Sequence, residues 1–239
     1  METTIGTIVR GDREVFPPYL YSAYRSTVAR SPGQPLLDVP LTLTELTGPG
    51  PVVSEAAGIT PEDADLTRNA ATGGEALGQR IIVTGRVLDD RGAPVPGTLV
   101  EVWQTNAAGR YLHRNDRWPA PLDPHFLGMG RCLTDEQGMY RFLTVRPGAY
   151  PWRNHSNAWR PSHIHFSLFG PGTVSRLVTQ MYFPGDPLLP LDPIAQAVPE
   201  AARHRLVAAY AHEITEPEWA LGYRWDIVLR GVEATPFES

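Results

Sequence analysis

The sequence predicts an all-β fold: a β-sandwich or barrel-like core of antiparallel strands, with an extended N-terminal arm and one short C-terminal helix. Three observations predict it. Short apolar, β-branched runs recur along the second two thirds of the chain, as strands do. Turn-forming clusters separate them. Glycine and proline number 22 and 24 in 239 residues, a density of punctuation that long helices do not tolerate.

Residues 1–75 are rich in proline and threonine with only short apolar pieces, and read as an arm that packs on the core and on a partner chain. Residues 76–239 read as the core domain. Strands are expected over 81–88, 98–104, 139–145, 163–169, 174–183 and 224–229. The turns between several of them are Asp89-Asp90-Arg91-Gly92, Asn106-Ala107-Ala108-Gly109, Asp135-Glu136-Gln137-Gly138 and Arg146-Pro147-Gly148. The helix is expected over 199–211, with Pro199 and Glu200 suited to its first turn and Leu206, Val207 and Tyr210 on one side.

Lysine plus arginine total 21 against 26 for aspartate plus glutamate, a net charge of -5 that argues against general nucleic-acid binding. No apolar run is long enough to span a bilayer, and the first residues lack a basic segment followed by an apolar one. With a single cysteine, Cys132, the expected location is the reducing cytoplasm. Cys132 also excludes a multi-thiolate zinc site or an iron–sulfur cluster, and reads as a small buried side chain.

His163-Ile164-His165 carries the most chemistry. Residues two apart in a strand share a face, so both imidazoles can reach one point. Such a pair is half a metal site, and is also found as ordinary hydrogen-bonded surface. No Asp or Glu lies in 153–170, so the usual carboxylate partner of two histidines is missing from the neighbourhood. A metal held here would need anionic ligands from elsewhere. Tyrosine phenolate could serve if the cation were a strong Lewis acid, since a free phenol keeps its proton to a pH of about 10; ferric iron meets that condition.

Longer motifs surround the pair. Val83-Thr84-Gly85-Arg86-Val87, Gly92, Val95 and Val100-Glu101-Val102-Trp103-Gln104 lead to Gly109-Arg110-Tyr111. Pro147-Gly148-Ala149-Tyr150-Pro151-Trp152 and Trp159-Arg160-Pro161-Ser162-His163-Ile164-His165-Phe166 follow, then Leu177 to Phe183, Gly185-Asp186-Pro187 and Tyr223 to Gly231. In this order they resemble the intradiol ring-cleavage dioxygenases over nearly the whole chain. The segment Tyr24-Arg25-Ser26-Thr27-Val28-Ala29-Arg30-Ser31-Pro32 resembles the iron-bearing beta chains of the two-chain, protocatechuate-cleaving type, and no helical dimerisation segment of the catechol type is recognisable.

The resemblance implies Fe(3+) held by Tyr111 and His163 as equatorial ligands and Tyr150 and His165 as axial ones, with a solvent hydroxide. Two phenolates and a hydroxide neutralise the ion, and exchanging hydroxide and the Tyr150 phenolate for a catecholate dianion keeps the balance, which a buried site requires. Those two departing bases could take the substrate's two protons, so no external base is needed. Arg160 is implied as the cation that stabilises developing negative charge, with Tyr24, Trp152, Arg153, Gln180 and Ile194 lining the substrate pocket, Tyr24 and Arg153 toward a ring carboxylate. The implied reaction opens protocatechuate with dioxygen to 3-carboxy-cis,cis-muconate, a step of the beta-ketoadipate route, in company with a homologous alpha subunit. Alternatives are another catechol as substrate, such as catechol or hydroxyquinol, or a noncatalytic assembly subunit. His113, His125, His155, His204 and His212 read as structural, and Asp186 as a turn residue.

Overall fold

The computed structural model describes residues 15–35, 37, 58–152, 158–170 and 176–237. Eleven strands follow in order: β1 Arg80–Leu88, β2 Leu99–Trp103, β3 Met129–Leu133, β4 Met139–Val145, β5 Tyr150–Trp152, β6 Ala158–Arg160, β7 His163–Phe169, β8 Leu177–Tyr182, β9 Ala209–Tyr210, β10 Leu221–Arg224 and β11 Ile227–Val228. The helices are short: α1 Arg25–Arg30, α2 Pro193–Ala197 and α3 Glu200–Arg203.

Two sheets face each other. One has the order β3-β2-β7-β8 and is antiparallel throughout. In the other, β1 is flanked by antiparallel β4 on one edge and by β10 and β11 on the other, with β9 beyond β10. The pairing of β1 with β10 and β11 is parallel, so this sheet is mixed. Alternation along the strands assembles the core between the sheets: Val100, Val102, Ile164, Phe166, Leu168 and Met181 from one, against Ile81, Val83, Phe142, Tyr223 and Ile227 from the other. The odd-numbered residues of β7 point the opposite way, and the site is built on that outer face.

Strands 139–145 and 163–169 have the bounds the sequence predicts. The run 224–229 differs. Arg224 pairs with Thr84 and Ile227 with Val87 in one unbroken register, but between them Asp226 Oδ1 accepts the Arg86 N–H (2.8 Å) in place of a backbone carbonyl. The helix expected over 199–211 is corrected. Only Glu200–Arg203 is α-helical, a 3-10 turn follows over His204–Leu206, and the chain then extends. Ala208 N–H donates to Tyr182 O (2.9 Å), and Tyr210 pairs with Tyr223 in β9, so sheet pairing outcompetes helical propensity. Strands β3, β5, β6 and β9 and helices α1 and α2 are further elements without a counterpart in the sequence reading.

Residues 15–35 lie across the outer side of β8. Val15 packs with Tyr182, Ala195, Val198, Ala202, Leu206 and Ala234 in a second apolar cluster. Leu66 is fully buried in the main core, tied by its N–H to Leu143 O (2.8 Å). Among the described residues no helix is long and apolar enough to cross a membrane.

Candidate metal centre

The two histidines are placed by register. On β7, His163 pairs with Tyr182 of β8, and His165 sits between Trp103 of β2 and Gln180 of β8. Paired residues share a face, so Trp103 stacks flat on His165, with ring centroids 4.7 Å apart and planes within 1°. The imidazoles lie 4.9 Å apart, centroid to centroid.

Both tyrosines arrive from tight turns. Asn106 organises the first: its Oδ1 accepts the N–H of Ala108 and of Arg110 (both 3.0 Å), and its carbonyl accepts Gly109 N–H (3.0 Å) and Gly148 N–H (2.9 Å). The last bond ties the turn before Tyr111 to the turn before Tyr150. The contact is close enough that a Cβ on Gly109, which has φ +79°, would strike Ala149 O, and one on Gly148 would strike the backbone of Gly109. Asp116 Oδ2 then accepts Tyr111 N–H (2.8 Å).

The four rings converge. Tyr111 and Tyr150 have centroids 5.3 Å apart, Tyr150 and His163 5.6 Å, and the Tyr111 hydroxyl is 3.2 Å from His165 Nε2. The Nδ1 of His163 is 2.7 Å from Pro161 O, which fixes the proton there and leaves Nε2 with its lone pair. That Nε2 is buried and has no hydrogen-bond partner among the described residues, an expensive state for a polar atom unless something binds it. Desolvation, with Arg160 and the other imidazole nearby, holds His163 well below its ordinary pKa, and desolvation and Arg160 hold His165 at about 3. Both are neutral, as ligands must be. Desolvation, reinforced by Tyr150, pushes the Tyr111 phenol well above 10, so only a strong cation would draw off its proton. Among the described residues no group of three or more His, Cys, Asp or Glu could hold a metal, so phenols are the anionic donors at hand.

Arg160 stands beside the rings, opposite Tyr150 in the β5–β6 ladder, with its Cζ 5.5 Å from the Trp152 ring centre. It is buried, and its Nη2 donates to Gln180, to the Tyr182 hydroxyl (3.1 Å) and to Asp192 Oδ2 (3.1 Å). Burial alone would lower Arg160, but Tyr182 and Asp192 outweigh it and keep the guanidinium charged. Tyr24 packs on Trp152 at 5.4 Å. With Gln180 and Ile194 it lines a cavity of about 220 Å³ between the arm and α2. Arg153 and His155 lie outside the described residues. Asp186 serves its turn, accepting Leu188 N–H (2.9 Å), and also clamps Ser162 N–H (2.9 Å) just before the histidines.

Asp192, Tyr182, Trp103 and Asp116 are neighbours of the four rings to which the sequence reading gives no site role, Trp103 and Tyr182 entering it only as motif positions. Asp192-Pro193 carries a helix N-cap pattern, which signals the cap but not the partner across the fold.

Comparison with known proteins brings these features together. Residues 49–231 match the family model described as Dioxygenase, and residues 9–42 match that of the protocatechuate 3,4-dioxygenase beta subunit N terminus. The chain is 60% identical to the protocatechuate 3,4-dioxygenase beta chain of Burkholderia cepacia over 222 residues, 93% of each chain. It is 29% identical to the protocatechuate 3,4-dioxygenase alpha chain of Pseudomonas putida, over 77% of this chain and 87% of that one. In fold it is similar to the crystal structure of 3-chlorocatechol 1,2-dioxygenase from Rhodococcus opacus 1CP, with a TM-score of 0.54 and 24% identity, covering 71% of this chain and 65% of that one.

Proposed function

Because the chain belongs to the intradiol dioxygenase family, we propose that it is the iron-bearing chain of an enzyme that opens protocatechuate with dioxygen between the two hydroxyl-bearing carbons. The observation that carries this reading is the convergence of two phenols and two neutral imidazoles, with the Nε2 of His163 unpartnered among the described residues. Tyr111, Tyr150, His163 and His165 would hold Fe(3+), which suits two hard phenolate oxygens where, among the described residues, no group of three or more His, Cys, Asp or Glu gathers. When bound, ferric iron supplies the Lewis acidity that draws electron density from a catecholate and makes its ring carbons reactive toward dioxygen.

The chain's own groups do the rest. Tyr150 Oη, a phenolate when iron is bound, would take one of the substrate's two hydroxyl protons as the ring enters and a solvent hydroxide the other, so that no separate general base is required. Arg160 presents a fixed cation where negative charge develops. Trp152, Ile194 and Tyr24 would wall the ring, Gln180 would add a polar contact, and Tyr24 would take the ring carboxylate, a role the family resemblance also gives to Arg153. The similarity to beta chains, together with a related alpha chain, supports a homologous alpha subunit as partner.

Iron-replete protein, prepared with that subunit, should consume one dioxygen per protocatechuate and release a ring-opened tricarboxylate. Faster turnover of catechol than of protocatechuate would move the reading to another ring substituent, and no dioxygen uptake with either would sink it.

A further inference from the structure

The function proposed above gives no part to Asp192, yet it is the only aspartate or glutamate buried among the described residues, with 0% exposure. Its carboxylate meets Arg160 at two points: Oδ2 accepts a hydrogen bond from Nη2 (3.1 Å), and Oδ1 lies 3.0 Å from Nε as an ion-pair contact without hydrogen-bond alignment. It is itself held on two sides. Oδ1 accepts Ile194 N–H (3.3 Å), capping α2, and Oδ2 lies 2.9 Å from the Tyr182 hydroxyl.

A buried ion pair of this kind adds little to stability compared with apolar side chains of the same volume. Its geometry is informative instead. A guanidinium hydrogen-bonded through Nη2 to a carboxylate whose other oxygen stands in ion-pair contact with its Nε is held against turning about its stem more firmly than one held by a single contact. Arg160 lies opposite Tyr150 and against Trp152, so any turn would carry the cation off the side of the site where the substrate ring would lie. The helix cap adds a second constraint, because the residue Asp192 caps is Ile194, on the wall of the cavity.

We propose that Asp192 is a positioning residue for ring cleavage: it locks the Arg160 guanidinium toward Tyr150 and, through its cap on α2, fixes Ile194 at the cavity wall. The proposal rests on the function given above and deepens it. Tyr182 and Gln180 complete the bracket, and among the described residues Asp192 is its only charged acceptor.

The test is a double-mutant cycle on the alpha–beta holoenzyme, with D192N, R160Q and R160Q/D192N. Iron content, anaerobic protocatechuate affinity, kcat and KM are measured on each. D192N keeps the shape of the carboxylate and loses its charge. It should retain its iron and lower kcat by about 100-fold, the scale of a roughly 1 Å misplacement of a reacting group, with a smaller change in KM. R160Q/D192N should be no slower than R160Q, because Asp192 acts through Arg160. D192N with full kcat, or losses that multiply in the double variant, would overturn the proposal. Should D192N not fold, D192E takes its place, since it retains the charge but displaces it by one methylene; the same kcat loss with iron retained supports the proposal, and undiminished kcat overturns it. An R160Q enzyme with normal turnover would instead count against the function itself.

Discussion

At the scale of single residues, the four rings should differ in what their loss does. His163→Ala and Tyr111→Phe each remove one of the four proposed iron ligands, so iron affinity should fall by about 100-fold or more and turnover with it. Tyr150→Phe should keep part of its iron and slow substrate binding, because it removes the group that takes a proton as the ring enters. Iron assay and stopped-flow binding on the same samples separate the two classes; full iron and normal turnover in all three would show that the ligands are misassigned. The neutral histidines also set a pH dependence for the iron-free protein. The folded state holds His165 at about 3 against an ordinary 6.5. Between those values the unfolded chain binds the proton and the folded one does not. Stability is therefore full above about 6.5 and falls as pH drops, by up to about 1.4 kcal/mol per pH unit from this group. Urea midpoints at pH 7.5 and 5.0 should diverge more in iron-free wild type than in His165→Phe, and equal slopes would refute the assignment.

At the scale of elements, the site depends on two turns touching. Gly148→Ala would press a methyl group into the backbone of Gly109, and Gly109→Ala would add a left-handed φ to a clash with Ala149 O. Each should cost about 2–4 kcal/mol and separate Tyr111 from Tyr150, so iron should be lost even where the sandwich still folds. Thermal unfolding with iron assay tests this; a stable, iron-replete Gly148→Ala would show that the turns need not touch. The same elements show what was legible in the sequence. β4 and β7 were readable to the residue because their alternation puts Phe142, Ile164 and Phe166 in the core. The meeting of two tyrosines and two histidines was readable from ordered motifs. The stretch 199–211 misled, because Tyr182 and Tyr223, which draw it into sheet pairing, are remote in sequence. Asp192 was hidden for the same reason: its partner Arg160 lies 32 residues away.

At the scale of the molecule, the site lies on an outer sheet face rather than between the sheets, so its mouth needs covering. The arm supplies part of the cover through Tyr24 on Trp152. Around the tyrosine turns Leu112 and Leu122 are 54% and 52% exposed, and Trp159, packed edge-on against Trp118 at 5.5 Å, is 40% exposed. Exposed apolar side chains in these loops offer surface that a second chain could bury. With the alpha subunit proposed above as that chain, expression of this chain alone should give poorly soluble protein with low turnover, and coexpression should restore both. Leu112→Lys with Leu122→Glu should leave the sandwich folded while weakening association by a few kcal/mol, as loss of a buried interface core does, so that the two chains separate on size exclusion and protocatechuate turnover falls. A homogeneous preparation of this chain alone with full specific activity would refute the two-chain assembly, and would mean that the arm closes the site unaided.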